Sequence, residues 1–596
     1  MRASWTYPAA SRQVRIYREA WRFLLIEGQP DRYPRENEPL DQWLDGRWGS
    51  FRGFEILAGL PARLTAFVDP LATRPVFFVP TGGGSLVSDK LSTLALNRTG
   101  ELSPNWPAIL EALTLGTLYT TDTSIAQAQQ FQPGEVIQFR QDGIVVRGRF
   151  EMPLDPELSS HRIAEDPPGT LLAALRRAVA ETWVERDSYL LLSGGLDSRL
   201  TLSQAGSDRK AMTVTTRENR ECRIARDIAG ACGAKFLHWP RPPEHYVTLL
   251  ESSFLLTACM WDPLTPHHLG LGVEWRKEGI HEVCNAFLYD TVLKGYFAFP
   301  RQKYVSPYLP LHDVLGNSAV IFAEKRSGRS HRATSEFVLQ SLTKEARQIA
   351  AQRLKDLANS MEPAVAGDLD LTLQNRLIAF ISRQCHYPLL LGWIEELDVN
   401  SPIFHRALWS WARLSPPDAY YEARAFRAAL AGAGHPVAGL PDSNTGRSSG
   451  RVSRDWRATF RNQAWYPLAR TAWRKLRPVS DGSAASGAVY LDEGSWPPLS
   501  PLFRTPLGSE ALEQGLCLLD GVPLFRKHEV ETILQWFRSG DDAPLEALLS
   551  LSALGRWLNY LRSASAGASS GRLPAARRIT NAAADHLAGP DAVLPS

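Results

Sequence analysis

The first 150 residues alternate short apolar runs with turn residues, which is a strand pattern rather than a helical one. Four such runs, bounded by proline or glycine, stand at 63–68, 75–79, 134–139 and 143–148. The last two flank Asp142-Gly143, a dipeptide typical of hairpin turns. The pattern predicts a compact β-rich domain over residues 1–150, and the polar, proline-containing stretch at 151–167 predicts a linker.

From residue 168 the pattern changes to an alternation of helices and strands. Helical periodicity and short apolar strands follow one another at 171–184, 189–192, 211–216, 221–232, 235–238 and 281–287. Such an alternation predicts a parallel, doubly wound α/β sheet, in which ligands bind at the carboxyl ends of the strands. Beyond about residue 330 the pattern is helical. We therefore predict a domain over 168–562 with a helical C-terminal part, followed by a flexible Ala/Ser/Gly-rich tail at 563–596.

Composition narrows the class of protein. The chain has 596 residues, of which 44% are hydrophobic and 22% charged, with a net charge of +3. These values are ordinary for a soluble globular protein and argue for neither a nucleic-acid nor a membrane partner. The six cysteines show no Cys-x-x-Cys spacing and the first residues lack an apolar signal core, so we expect a reducing, cytoplasmic location. The 18 tryptophans fit either core packing or an aromatic groove for a peptide.

The most informative stretch runs from Tyr189 to Arg199 and reads Tyr-Leu-Leu-Leu-Ser-Gly-Gly-Leu-Asp-Ser-Arg. A strand, a glycine-rich turn and a helix start together present backbone N–H groups and a helix dipole to a phosphate. The glycines allow close approach of the main chain, and Ser193 and Ser198 add hydroxyl donors. Asp197 would repel a phosphate, but it suits a divalent cation that bridges to phosphates. The stretch is not a Walker pattern.

This loop resembles the SGGxDS pyrophosphate loop of the N-type ATP pyrophosphatases, which cleave ATP between the α- and β-phosphates and adenylylate a substrate oxygen. With the β-rich N-terminal part and the helical C-terminal half, the chain resembles the asparagine synthetase superfamily over about residues 20–560. Leu44-Asp-Gly-Arg-Trp-Gly-Ser-Phe51 and Asp69-Pro-Leu-Ala-Thr-Arg-Pro-Val-Phe-Phe78 are similar to the family's L-x-G-x-F and D-x-x-G-x-x-P-L-Y-Y segments. The resemblance implies a class II glutamine amidotransferase-like domain of the Ntn type, followed by a synthetase domain that binds ATP and Mg²⁺.

The resemblance also implies roles for individual residues. Tyr289-Asp-Thr-Val-Leu-Lys-Gly-Tyr296 is similar to the family's A-D-E-L-F-G-G-Y, which places Asp290 on the second magnesium-binding aspartate beside Asp197. The implied catalytic residues are Asp197, Asp290 and Lys294, with Tyr289 and Tyr296 as further candidates to take the amine proton. The implied ATP-binding residues are Leu192, Ser193, Gly194, Gly195, Leu196, Asp197, Ser198 and Thr215.

The chain departs from the family pattern at three places. Arg2 stands where the family has the glutaminase cysteine, and the first 200 residues contain no cysteine, so we expect no glutamine hydrolysis. Phe287 stands on the family's substrate-binding glutamate, which argues against free aspartate and ammonia as substrates. The loop at 440–451 lacks the family's catalytic lysine. Arg447 or Arg451 could supply charge there, and a solvated loop is an equal alternative.

The expected function is that of an ATP-dependent, AMP-forming carbon–nitrogen ligase. Loss of the cysteine and the glutamate favours an amide closed within one molecule, as in the lasso-peptide macrolactam synthetases. The expected partners are a carboxylate substrate, here a ribosomal precursor peptide, and its processing protease, without nucleic acid or membrane. The runner-up is an asparagine synthetase-type enzyme that uses external ammonia, or a related amidotransferase of a polysaccharide or natural-product pathway.

Two other classes of protein are alternatives. A nucleic-acid-modifying pyrophosphatase would share the loop, but it should carry paired cysteines or a clearly basic domain, and the sequence has neither. A protein that only binds a partner has no reason to keep two magnesium carboxylates. The Arg- and aromatic-rich stretch at 451–477 fits a helix with one apolar and one solvated face, a docking surface for an acidic peptide, or a nucleic-acid contact.

Overall fold

A computed structural model describes residues 2–4, 11–294, 336–361, 387–443 and 497–570, with short gaps at 12, 20, 36, 59–61, 82–83, 98–101, 141–142, 186, 421–422 and 434–435. Several residues considered above lie outside the described residues, namely Tyr296, Arg447, Arg451 and the stretch at 451–477.

Two sheets form the N-terminal part of the chain. Their strands are β1 (Arg2–Ser4), β2 (Val14–Arg18), β3 (Arg22–Pro30), β4 (Gly49–Leu57), β5 (Arg63–Val68), β6 (Phe77–Thr81), β7 (Gly84–Ser88), β8 (Gln129–Gln130), β9 (Glu135–Arg140) and β10 (Gly143–Arg149). An antiparallel sheet has the order β10-β9-β5-β4-β3-β2, and a second sheet has the order β1-β7-β6-β8. Gly143 lies opposite Arg140, so the predicted hairpin is confirmed.

A five-stranded parallel sheet follows. Its strands are β11 (Tyr189–Leu191), β12 (Lys210–Thr215), β13 (Lys235–Pro240), β14 (Glu282–Cys284) and β15 (Asp398–Asn400), in the order β13-β12-β11-β14-β15. The predicted parallel sheet is confirmed, and the chain is a mixed α/β protein. The strand expected at 281–287 ends early, at Cys284, because the Asn285 side chain accepts a hydrogen bond from the Phe287 backbone N–H and turns the chain.

Helices surround the sheets. They are α1 (Leu40–Leu44), α2 (Leu91–Asn97), α3 (Trp106–Leu115), α4 (Ser160–Glu165), α5 (Pro167–Thr182), α6 (Leu196–Ser203), α7 (Arg220–Ala231), α8 (His245–Ser252), α9 (Phe254–Thr257), α10 (Leu271–Lys277), α11 (Tyr289–Val292), α12 (Lys344–Met361), α13 (Tyr387–Ile394), α14 (Arg406–Leu414), α15 (Pro417–Tyr420), α16 (Arg424–Gly432), α17 (Leu499–Phe503), α18 (Pro506–Cys517), α19 (Lys527–Arg538) and α20 (Leu545–Ser570). The helix α20 continues into the predicted tail, of which residues 571–596 lie outside the described residues.

The predicted linker at 151–167 is wrong in part, because this stretch contains α4 and the first residue of α5. The Ser159 hydroxyl accepts a hydrogen bond from the Arg162 N–H at the start of α4. The Asp166 carboxylate does the same for the Gly169 N–H at the start of α5, whose first residue is Pro167. Polar residues and proline therefore mark helix starts within this stretch.

The N-terminal part of the chain packs directly against the later elements. The Tyr387 hydroxyl donates to the Ala72 carbonyl at 2.9 Å, and the Tyr560 hydroxyl donates to the Ser92 carbonyl at 2.9 Å. The largest buried apolar cluster also combines residues from both parts, such as Leu110 from α3. The shared core therefore fixes the position of the parallel sheet relative to the N-terminal strands.

Among the helices in the described part of the chain, none has both the length and the apolar character that crossing a bilayer requires.

A buried carboxyl group joins two helices that flank the parallel sheet. Glu396 follows α13 and accepts hydrogen bonds from the Gly270 N–H at 2.6 Å and the Gly272 N–H at 2.8 Å, at the start of α10. Burial raises the pKa of Glu396 to about 7 from 4.5, although the two backbone donors lower it.

We predict that Glu396→Gln lowers the free energy of unfolding by about 1–3 kcal/mol, because the Gln amide leaves one buried N–H without an acceptor. The loss should be greatest near pH 4.5 and smaller above pH 7. The folded state holds the Glu396 proton more tightly than the unfolded state, so wild-type stability falls as pH rises through this range, whereas Gln does not titrate. Urea denaturation at pH 5 and pH 8 measures both effects, and an equal loss at the two pH values would contradict the pKa shift.

Candidate functional site

The order of the parallel strands creates a crevice beside β11. From β11 the chain proceeds outward to β12 and β13 on one side, and then returns to β14 and β15 on the other. The strand order therefore reverses between β11 and β14, and open α/β sheets form a crevice at the carboxyl ends of the strands at such a point. Ligands bind at such a switch point in open α/β sheets. The predicted site residues follow these two strands.

The loop after β11 is held by its own serine side chains. The Ser193 N–H donates to the Ser198 hydroxyl at 3.1 Å, and the Gly195 N–H donates to the Ser193 hydroxyl at 3.2 Å. The Ser198 hydroxyl in turn donates to the Ser193 carbonyl at 3.3 Å. The helix α6 begins after Gly195, which has no side chain to cap the first N–H groups. The serines thus shape the loop, and the start of α6 offers backbone donors to an anion.

The two glycines have different surroundings. A Cβ atom on Gly194 would lie 2.6 Å from the Ser443 Cβ atom and 3.2 Å from an Ile224 methyl group. A Cβ atom on Gly195 would meet only the Ser193 hydroxyl, at 3.1 Å. Gly194 is therefore required by close packing within the protein, and Gly195 is the glycine whose open side suits the approach of a ligand.

Arg199 fastens the loop to a segment from the C-terminal half, and sequence reasoning missed this role. Its guanidinium donates to the Gly194 carbonyl at 3.0 Å. The same group donates to the carbonyls of Val437, Leu440 and Pro441 at 3.2, 2.9 and 2.7 Å. Burial lowers the pKa of Arg199. Three of the four acceptors are backbone carbonyls far away in the sequence. The only sequence signal for this role is therefore the presence of an arginine at the end of the loop motif.

A second arginine and a backbone contact complete this attachment. The Arg220 guanidinium, at the start of α7, donates to the Ser443 carbonyl at 2.6 Å. The Ser443 N–H donates to the Gly194 carbonyl at 3.0 Å. The neighbouring Asp442 is buried, and its charge raises the pKa of Asp197. The segment from Pro436 to Ser443 therefore forms one wall of the crevice.

The two predicted magnesium aspartates converge on one nitrogen atom. The Lys294 Nζ atom lies 2.5 Å from Asp197 Oδ1 and 2.8 Å from Asp290 Oδ1. Its side chain is 7% exposed, compared with 23% for Asp197 and 54% for Asp290. Burial raises the pKa of Asp197 to about 7, the Lys294 ammonium lowers it, and the Asp290 charge raises it further. The structure thus brings together the three residues that the sequence predicted as catalytic.

The turn after β14 brings Asp290 to the crevice. Leu288 adopts a φ of 67°, a left-handed conformation that costs a non-glycine residue about 1 kcal/mol. This turn starts α11 at Tyr289 and places Asp290 in its first turn. Phe287 is buried in the apolar core. Tyr289 is also buried, and its hydroxyl accepts a hydrogen bond from Thr201 at 3.1 Å, so burial keeps the pKa of the phenol far above its usual value.

Two predicted ATP-binding residues contact other parts of the protein. The Leu192 carbonyl accepts a hydrogen bond from the Thr213 hydroxyl at 2.6 Å. Thr215 is buried at the end of β12, where its hydroxyl donates to the Arg217 carbonyl at 2.8 Å and contacts His238 Nε2 at 2.8 Å. Leu196 is half-buried at the start of α6.

The carboxylate pair fits Mg²⁺ bound together with phosphates. In the described part of the chain, no group of three or more His, Cys, Asp and Glu side chains could hold a metal ion. A metal cage made entirely of protein ligands is therefore not formed by these residues. Mg²⁺ is commonly bound through one or two carboxylates, with phosphates and waters as the other ligands. Asp197 and Asp290 meet that requirement, because both carboxylates lie within hydrogen-bond distance of Lys294 Nζ and can therefore face one cation.

We predict that Gly194→Ala destabilises the protein by about 1–3 kcal/mol, because the new methyl group overlaps Ser443. Gly195→Ala is the matched control and should cost less, since only the Ser193 hydroxyl has to move. The double variant Gly194→Ala/Ser443→Gly should recover part of the loss. Thermal unfolding of the variants measures these differences, and equal losses for the two alanine variants would disprove the packing role of Gly194.

Models of known protein families gave no match to this chain, and curated protein sequences gave none either. The candidate site is therefore supported by its geometry and by the motif resemblance.

Proposed function

We propose that this protein is an ATP-dependent, AMP-forming carbon–nitrogen ligase of the asparagine synthetase superfamily. It would activate a carboxylate by adenylylation and join it to an amine. The observation that carries the proposal is the convergence of Asp197 and Asp290 on one nitrogen, beside a loop whose helix start offers anion-binding donors. Carboxylates for Mg²⁺ and N–H groups for phosphates are the two elements that pyrophosphate release requires.

The fold supports this proposal. Antiparallel strands come first and a parallel sheet follows, with the loop and both aspartates at its switch point. We interpret the N-terminal sheets as a class II amidotransferase-like domain of the Ntn type that has lost glutamine hydrolysis. We interpret the parallel sheet and its helices as a doubly wound synthetase domain.

The proposed reaction has two steps. A substrate carboxylate oxygen attacks the α-phosphorus of ATP, and the bond from that phosphorus to the bridging oxygen of the β-phosphate breaks, which releases pyrophosphate. An amine then attacks the acyl carbon, the bond to the adenylate oxygen breaks, and AMP leaves with the electron pair. The amine loses one proton, and Lys294 is the proposed relay, since its ammonium can take up this proton only after it has passed on one of its own.

The protein contributes binding and orientation to the first step. The N–H groups at the start of α6 would bind the leaving pyrophosphate. Asp197 and Asp290 would hold Mg²⁺, whose charge neutralises that of the pyrophosphate. Arg199 keeps the loop in place against the wall from Pro436 to Ser443.

We further propose that the acyl and amine groups belong to one peptide, as in the lasso-peptide macrolactam synthetases. In those enzymes an Asp or Glu side chain of the precursor is joined to its N-terminal amine. Phe287 supports this choice, since the resemblance aligns this buried phenyl ring with the family's substrate-binding glutamate, and a phenyl ring cannot accept a hydrogen bond from the ammonium of free aspartate. The proposed partners are therefore the precursor peptide and the protease that processes it.

We predict that Asp197→Asn and Asp290→Asn each reduce pyrophosphate release about 100-fold, a loss of about 3 kcal/mol of transition-state stabilisation. Asp187→Asn is the matched control, because Asp187 is an exposed aspartate paired with Lys210 outside the crevice. A coupled pyrophosphate assay with ATP and Mg²⁺ measures all three. Full pyrophosphate release by Asp197→Asn would refute the mechanism.

The substrate is tested in two arms of the same assay, one with aspartate and ammonium and the other with a candidate precursor peptide. We expect pyrophosphate release in the peptide arm, together with a product that mass spectrometry shows to be lighter by one water. Release in the aspartate arm alone would replace the peptide proposal by asparagine synthesis. If neither arm releases pyrophosphate, the peptide proposal and the asparagine alternative are both contradicted.

A further inference from the structure

Lys294 occupies the position between the two aspartates. Its Nζ atom contacts Asp197 Oδ1 and Asp290 Oδ1 at hydrogen-bond distance, and it lies 5.0 Å from the centre of the Phe426 ring. Two carboxylates and an aromatic face thus surround one ammonium group, whose side chain is almost fully buried. This is a well-formed cation site whose occupant is part of the protein.

The ammonium and a divalent cation need the same oxygen atoms. A metal ion bound by Asp197 and Asp290 must approach oxygens that already contact Nζ, and the two positive charges would repel each other at that distance. The negative charge of Asp442 also acts on Asp197. Arg199 and Arg220 bind the segment that contains Asp442, so two positive charges accompany this third carboxylate. Binding of a free divalent cation therefore requires Lys294 to leave the two aspartates.

A polyphosphate removes this conflict. Its oxygens supply further ligands to the cation, and they also accept hydrogen bonds from an ammonium displaced from the carboxylates. The start of α6, next to Asp197, is where those oxygens would be bound. The cation and the polyphosphate would thus enter together, with Lys294 turning from the aspartates to a phosphate.

We propose that Lys294 is a built-in competitor for the divalent cation, which keeps the free metal ion out of the aspartate pair until a polyphosphate accompanies it. The quoted family motif A-D-E-L-F-G-G-Y has glycine where this chain has Lys294, so the competitor is a property of this chain's own sequence. The identity of the polyphosphate as ATP rests on the proposed function, but the competition between Lys294 and the cation does not.

The test is the binding of Mn²⁺ alone, followed by electron paramagnetic resonance of the free ion in titrations of the full-length protein. Lys294→Met removes the charge and keeps the length of the side chain, and it should bind Mn²⁺ at least about tenfold more tightly than the wild type. Lys294→Arg keeps the charge and should bind as weakly as the wild type. Lys277→Met, in an exposed ion pair with Glu274, is the control and should change nothing.

Two further measurements make the test specific. The double variant Lys294→Met/Asp290→Asn should lose the gain, because the tighter binding needs both carboxylates. Inorganic pyrophosphate should raise the Mn²⁺ affinity of the wild type more than that of Lys294→Met. If Lys294→Met does not fold, as shown by circular dichroism, Lys294→Gln takes its place.

The proposal is overturned if Lys294→Met binds Mn²⁺ no more tightly than the wild type, or if Lys294→Arg gains as much as Lys294→Met. Its failure differs from failure of the proposed function. If Lys294→Met binds Mn²⁺ more tightly but the protein never releases pyrophosphate from ATP, the competition proposal stands and the ligase proposal fails. Pyrophosphate release with unchanged Mn²⁺ binding in Lys294→Met would do the reverse.

Discussion

The pairing of β11 with β14 is the constraint on which the site depends. Tyr189 lies opposite Val283, and Leu190 lies opposite Cys284, in a parallel register that places the two strand ends side by side. The loop that carries Asp197 leaves one strand, and the turn that carries Asp290 leaves the other. A shift in this register would separate the carboxylates, because each lies in the first turn of the helix that follows its strand.

The buried guanidinium of Arg199 holds the loop after β11 against the segment from Pro436 to Ser443. Arg199 is fully buried, and its two terminal nitrogen atoms donate hydrogen bonds to backbone carbonyls. The geometry of its acceptors fixes the loop against the C-terminal segment. A lysine at this position could not make the same set of hydrogen bonds, because only guanidinium presents a planar fork of five donors.

The N-terminal sheets are tied to the far edge of the parallel sheet by a similar network. Glu27 pairs with Arg52 and Arg74, each at 2.9 Å, in the interior of the first part. Arg74 also donates to Gln13, and the Gln13 amide donates to Asn400 on β15 at 3.0 Å. The network gives the N-terminal part a role in supporting the parallel sheet that does not depend on any chemistry of its own.

The sequence determined the local elements, because their signals lie in short stretches of chain. The alternation at 63–68 predicted a strand that the structure has with the same bounds, and the loop motif predicted the strand before Ser193 and the helix after Gly195. Proline and polar residues at 151–167 misled the prediction, since capping and linking use the same residue types. The tertiary structure alone decided the strand order, the burial of Arg199 and the position of Lys294 between the aspartates. Each of these depends on partners distant in the chain, and no local pattern encodes which distant atoms will meet.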